Sequence, residues 1–207
     1  LVSRIWGVGK VTAAGLEKLG IHTVRQLRTA ARYKLSMVLG NQTDDILRLA
    51  QGIDNRPVEA HAKAKSISAE ETFPTDIWDK EVLAAILIHQ VEEVSQRLRA
   101  EKLQCQTITL KFRYSDFKTI TRSYSMDKPT QTTDTLLQEA IKIFNRWHQS
   151  SVGPLRLLGF GASGLSPEGT GQQLLFADPD DEKHKKLDAV FDKIRDKYGD
   201  HCVRRGM

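Results

Sequence analysis

Hydrophobic and polar positions alternate most regularly between residues 107 and 126. Ile108, Leu110, Phe112 and Tyr114 fall on one face of an extended chain, and Thr107, Thr109, Lys111 and Arg113 fall on the other. That period of two marks a half-buried strand. A tight turn is predicted near Ser115 and Asp116. In the returning strand Ile120, Tyr124 and Met126 share a face with Lys118 and Arg122, opposite a row of hydroxyls from Thr119, Thr121, Ser123 and Ser125. Lys65 to Phe73 reads as an earlier strand, with Ser66 and Ser68 joining the polar face and Ile67 beneath. Between these strands the period lengthens. Leu83, Leu87, Val91, Val94 and Leu98 recur at steps of four and three, which predicts an amphipathic helix over Asp79 to Lys102. His89, set among apolar neighbours, reads as a partly buried packing residue.

Beyond the hairpin, Lys128-Pro129 is expected to turn the chain, and Thr133 or Asp134 to cap a second helix packed through Leu137, Ala140, Ile141, Phe144 and Trp147. Gly153-Pro154 ends that connection, and Leu155 to Leu165 forms the last strand. The order is β-α-β-β-α-β, an α+β fold with a four-stranded antiparallel sheet and both helices on one face. The other face of the sheet is then free.

The first 58 residues follow a helical pattern. Ile5-Trp6-Gly7-Val8-Gly9-Lys10 leads into a helix from about Lys10 to Leu19, Gly20 suits its C-cap, and Thr23 can cap the next helix. This is the pattern of a helix-hairpin-helix. Gly7 and Gly9 permit tight turning, so backbone N–H groups at the hairpin and helix start can hold a phosphate, with Lys10 adding charge. The bland reading is a simple Gly-x-Gly turn. Residues 31–51 are expected to be helical around Leu35, Val38, Leu39, Ile46, Leu47 and Leu49, with a break at Gly40-Asn41. The domains are therefore 1–58, a polar, basic linker over 59–65, an α+β domain over 66–168, and a tail over 169–207. In the tail, Asp178 suits an N-cap and Pro179 the first helical position. Leu187, Val190, Phe191, Ile194 and Tyr198 form an apolar stripe that Gly199 ends.

Charge sharpens this picture. The chain has 207 residues and a net charge of +5, and residues 1–65 carry 11 Lys and Arg against 5 acids. Residues 66–170 carry 12 against 13, but their cations gather on the hairpin and most of their acids on the predicted helices. Cations and hydroxyls bind phosphate oxygens, so the free sheet face is suited to lie along a nucleic-acid backbone. The bland alternative is that Thr, Lys and Arg simply suit a solvated pleat. Cys105 and Cys202 lack metal-like spacing and fit a reducing cytoplasm. No apolar run approaches a membrane span, which argues against a membrane partner, and the start at Leu1 reads as that of a fragment.

Two tempting motifs fail on context. Gly159-Phe160-Gly161-Ala162-Ser163-Gly164 satisfies a dinucleotide-binding pattern, yet Leu165-Ser166-Pro167 follows where a helix would be needed. Glu70 and Glu71 are adjacent in a strand and point to opposite faces, so they are read as non-catalytic rather than as a metal pair.

Leu110-Lys111-Phe112-Arg113-Tyr114-Ser115-Asp116-Phe117-Lys118-Thr119, followed by Thr121-Arg122-Ser123, resembles the little finger of Y-family translesion DNA polymerases, nearest to their DNA polymerase IV branch. The Lys65 to Phe73 phrase resembles the same domain. The hairpin at Gly7 and the phrase Gly52-Ile53-Asp54-Asn55-Arg56-Pro57-Val58 resemble that family's thumb. The resemblance implies a sequence-independent grip on primer–template DNA through Gly7, Gly9, Lys10, Ser66, Ser68, Thr107, Thr109, Lys111, Arg113, Lys118, Thr119, Thr121, Arg122 and Ser123. It implies no catalytic residue and no cofactor within these residues. In the parent polymerase, nucleotide addition and its Mg2+ belong to a palm, without which this part is expected to be inactive. Gln172, Leu175 and Phe176 resemble the anchors of a bacterial sliding-clamp motif, although Gln173 replaces its common leucine. The competing readings are a palm-less accessory protein that binds DNA or the clamp, and an unrelated ferredoxin-like regulatory domain.

Overall fold

The computed structural model describes residues 1–58, 63–150, 153–169, 179–199, 202, 203 and 205. The chain divides into two units, Leu1–Ala62 and Lys63–Met207.

The first unit contains α1 (Lys10–Lys18), α2 (Val24–Thr29), α3 (Arg32–Leu39) and α4 (Thr43–Ala50), with single 3-10 turns at Val2–Arg4 and Gly40–Gln42. Its core comprises Val2, Val8, Ala13, Leu16, Ile21, Leu27, Leu35, Leu39, Ile46 and Ala50. Thr23 and Gln26 form a reciprocal capping box that starts α2 after the turn at Gly20. Ala50, rather than Leu49, supplies the last core contact of α4.

The second unit contains β1 (Ser66–Ile77), α5 (Lys80–Ala100), β2 (Leu103–Tyr114), β3 (Thr119–Thr130), α6 (Thr133–Ser150), β4 (Leu155–Pro167) and α7 (Pro179–Tyr198). The strands form one sheet in the order β1-β4-β2-β3, and every neighbouring pair is antiparallel. The core lies between the sheet and the helices α5 and α6. Leu83, Leu87, Val91, Val94 and Leu98 of α5 meet Ile108, Leu110 and Phe112 of β2 and Leu158, Phe160 and Ala162 of β4. Two polar contacts fix the helices on this layer. The Gln90 Nε2 group donates to the Leu158 carbonyl at 2.9 Å, and the Trp147 Nε1–H donates to the Tyr114 hydroxyl at 2.9 Å. Trp147 also stacks on Phe112 with ring centroids 4.3 Å apart.

Two local expectations are corrected. Pro129 lies inside β3 rather than ending it, since β3 is an edge strand and one of its edges needs no ladder N–H. His89 is exposed, because its helix position falls between the buried Ile88 and Gln90 on the solvent side of α5. The apolar stripe of α7, whose partner surface the sequence left open, is divided, with Phe191 and Ile194 half-buried and the rest exposed. Leu187, Val190 and Tyr198 are 40%, 52% and 66% exposed, whereas Asp188 and Arg195 are 1% and 6% exposed.

Charged contacts seat that helix. Asp188 accepts the Thr133 backbone N–H at the start of α6 at 2.9 Å, and its carboxylate also meets Arg99 at 3.3 Å and Arg205 at 2.6 Å. Arg195 donates to Glu92 of α5 at 2.8 Å, and Arg99 forms two hydrogen bonds to Asp192 at 2.6 and 2.8 Å. A buried charge is tolerated only when it is paired in this way.

Candidate nucleic-acid interface

In an antiparallel ladder, directly paired residues project to the same face, so the register alone defines what the sheet displays. Ile108 and Ala162, Leu110 and Phe160, and Phe112 and Leu158 pair on the helix side. Between and on either side of them come four rows that project to the opposite, open face. Ser66, Ser163, Thr107 and Ser125 form the first row; Ser68, Gly161, Thr109 and Ser123 form the second. Glu70, Gly159, Lys111 and Thr121 form the third; Thr72, Leu157, Arg113 and Thr119 form the fourth. Rows recur about every 6.6–6.8 Å along the strands, the span of two residues.

The hydroxyls of this face bond partly to one another. Thr107 and Ser125 are 2.9 Å apart, Thr109 and Ser123 are 2.8 Å apart, and Arg113 Nε donates to the Thr119 hydroxyl at 2.9 Å. A hydroxyl or guanidinium held by a neutral partner can exchange it for a phosphate oxygen without uncovering a charge. β4, between β1 and β2, carries no side chain at Gly159 and Gly161, which opens a furrow between the β1 and β2 side chains. A Cβ at Gly159 would come within 2.9 Å of the Glu70 Cβ, and one at Gly161 within 3.4 Å of the Ser68 Cβ. Across the furrow Lys111 Nζ reaches Glu70 Oε2 at 2.8 Å.

Nine of the residues expected at the site therefore share one surface: Ser66, Ser68, Thr107, Thr109, Lys111, Arg113, Thr119, Thr121 and Ser123. Lys118 sits in the turn, where Tyr114 N–H donates to its carbonyl at 3.0 Å and its own N–H donates to Asp116 at 2.9 Å. Phe117 takes the left-handed conformation there, with φ 65°. Arg122 pairs with the buried Leu110, so it projects to the helix side of the edge strand, away from the other cations. The sequence motifs that contained Glu70, Gly159 and Gly161 were set aside without placing these residues on the open face. The signal was available, since Glu70 has the parity of Ser66 and Ser68, and two glycines at i and i+2 in a strand clear one face.

In the first unit, Gly7 turns the chain with φ 88°, and Gly9 precedes α1 with no side-chain cap on the helix. Val8 between them is buried and anchors the loop, while Lys10 is exposed. A Cβ at Gly7 or Gly9 would meet nothing within 4 Å, so the loop opens to solvent. The free N–H groups at the start of α1 and the Lys10 charge form an anion-accepting end. Beside the loop, the Arg56 guanidinium lies 3.9 Å from the exposed Trp6 ring centroid and grips Asp54 through Nε at 2.7 Å and Nη2 at 2.5 Å. That grip holds the Asp54 carboxyl down at about 2. Gln172, Leu175 and Phe176 lie outside the described residues.

Comparison with known proteins agrees with this architecture. The impB/mucB/samB family C-terminal domain matches residues 64–175. DNA polymerase IV of Dehalococcoides mccartyi strain 195 is 38% identical over 206 residues, covering 99% of this chain and 52% of that protein. DNA polymerase IV 1 of Mesorhizobium japonicum is 36% identical over 205 residues, covering 99% and 46%. The chain thus spans about half the length of the curated relatives it matches. A solved Y-family DNA polymerase chimera, Dbh-Dpo4(243-245)-Dbh, shares the fold with a TM-score of 0.62 at 20% identity, over 79% of this chain and 46% of that one. The chain belongs to the impB/mucB/samB family, and its likeness is to the C-terminal part of the DNA polymerase IV branch of the Y family.

Proposed function

We propose that the chain grips primer–template duplex during synthesis past damaged bases, with the open sheet face along one stretch of backbone and the Gly7–Lys10 hairpin on another. The observation that carries this reading is the alignment of hydroxyls, Lys111 and Arg113 in register on the face opposite α5 and α6. Phosphate contacts of this kind hold DNA without reading sequence. Backbone N–H groups at the start of α1 suit the same task. Template-directed nucleotide addition, and the Mg2+ it requires, are assigned to a palm outside these 207 residues, so the chain alone is expected to be inactive as a polymerase. A cytoplasmic location follows from that role. Docking to a bacterial sliding clamp through Gln172, Leu175 and Phe176 is part of the same reading and rests on sequence alone. Leu175→Ala with Phe176→Ala is expected to abolish clamp binding, and unchanged affinity would remove that partner.

Fluorescence anisotropy on primer–template duplex at several salt concentrations tests the grip. Binding should be weak, indifferent to sequence and steeply salt-dependent. Lys111→Ala with Arg113→Ala should lower the slope of log K against log salt by at least about 0.9, the scale of one net phosphate contact. Arg122→Ala, on the other face, should change it far less. Equal loss from Arg122→Ala, or no loss from the pair, would assign the binding elsewhere.

A further inference from the structure

We propose that Glu70 is a built-in competitor for Lys111 that keeps the grip of the open face weak and readily exchanged, an inference that rests on the DNA-binding reading above. Among the paired positions of that face Glu70 is the acid, and Lys111 and Arg113 are the cations. The bridge spans from β1 to β2 over the intervening strand, with Lys111 Nζ 2.8 Å from Glu70 Oε2. It exists because Gly159, paired with both residues, has no side chain in the way. Both partners remain partly exposed, with side-chain exposures of 32% for Lys111 and 49% for Glu70, so an incoming phosphate can reach the pair.

The consequence is an exchange rather than a simple gain. A phosphate that takes Lys111 must displace a carboxylate making an equally charge-assisted bond. The displaced Glu70 carboxylate then sits beside the phosphate as a like charge and recruits a cation from solution. That uptake offsets the counterion release that a lysine–phosphate contact otherwise brings. Arg113 differs, since its partner Thr119 is neutral and leaves without uncovering a charge. Glu70 therefore sets affinity and salt dependence together.

Glu71 provides the control. It is the next residue, it carries the same charge, and it pairs with Leu158 on the helix side. The test is duplex binding by the 207-residue chain, measured by anisotropy across a salt series. Glu70→Gln should bind about threefold to fivefold tighter at low salt, the scale of an exposed ion pair. Its salt slope should steepen by about 0.9, one additional net contact. Glu71→Gln should stay within about twofold of wild type, because it engages none of the cations of the open face. In a Lys111→Met background the gain from Glu70→Gln should vanish. Gly159→Ala, which alters no charge but wedges the pair apart, should move affinity in the same direction as Glu70→Gln, its folding checked by thermal melting.

Weaker or unchanged binding by Glu70→Gln, while wild type binds, would overturn the proposal and leave the DNA reading intact. Equal tightening by Glu71→Gln would overturn it too, reducing the effect to net charge. Failure of wild type to bind would remove both.

Discussion

Cys105 and Cys202 sit in opposite surroundings. Cys105 is fully buried, and burial pushes its thiol up to about 12, whereas Cys202 is exposed. A thiol needs its thiolate to react, so a thiol-reactive dye should label Cys202 rapidly and Cys105 only after denaturation. Rapid labelling of both in the native protein would contradict the packing. Asp54 offers a pH test. Its pKa is lowered by Arg56, so its contribution to stability is present above the ordinary carboxylate value near ~3.9 and is lost as pH falls through about 2. Titration of its carboxyl carbon by NMR should give a midpoint near 2, and Arg56→Gln should return it toward the ordinary range. At this scale the sequence was most legible where alternation was strict. Thr107, Thr109, Lys111 and Arg113 were placed on one face by parity alone. Arg122 was grouped with those cations by its charge, although its even number sets it with Ile120 and Tyr124.

Among the elements, α5 was legible because five leucines and valines repeat on one stripe, and all five are buried. Leu87→Ala removes a fully buried side chain at the centre of that stripe and should cost about 2–5 kcal/mol, measured by urea unfolding. The seat of α7 was not legible. Its apolar stripe left the partner surface open, and the surface that receives the helix is built from Glu92 and Arg99 of α5, Thr133 of α6 and Arg205 beyond the helix. Residues so far apart in sequence become one charged seat only after the helices pack. Asp188→Ala would remove the buried carboxylate shared by Arg99 and Arg205 and the acceptor of the Thr133 N–H at the start of α6. It should destabilise the unit by about 3–5 kcal/mol, the scale for breaking a buried charge pair. A loss below about 0.5 kcal/mol, the scale of an ordinary surface substitution, would show that α7 is not held by this network.

For the molecule as a whole, topology was legible and register was not. The order of strands and helices followed from periodicity, and the free face followed from both helices packing on one side. Which strands lie inside the sheet, and which residues lie level across them, depends on the pairings of β4 with β1 and β2 that no local pattern encodes. That register turns separate polar residues into rows and brings Gly159 between Glu70 and Lys111. The central claim is that this open face is the surface that meets DNA. Amide chemical shifts of the 15N-labelled chain, followed as primer–template duplex is added at low salt, test it most directly. Shifts concentrated at Ser66, Ser68, Thr107 to Arg113 and Thr119 to Ser123, with a second group at Gly7 to Lys10, are predicted. Shifts confined to α5, α6 or α7, with the open-face amides unmoved, would contradict the account.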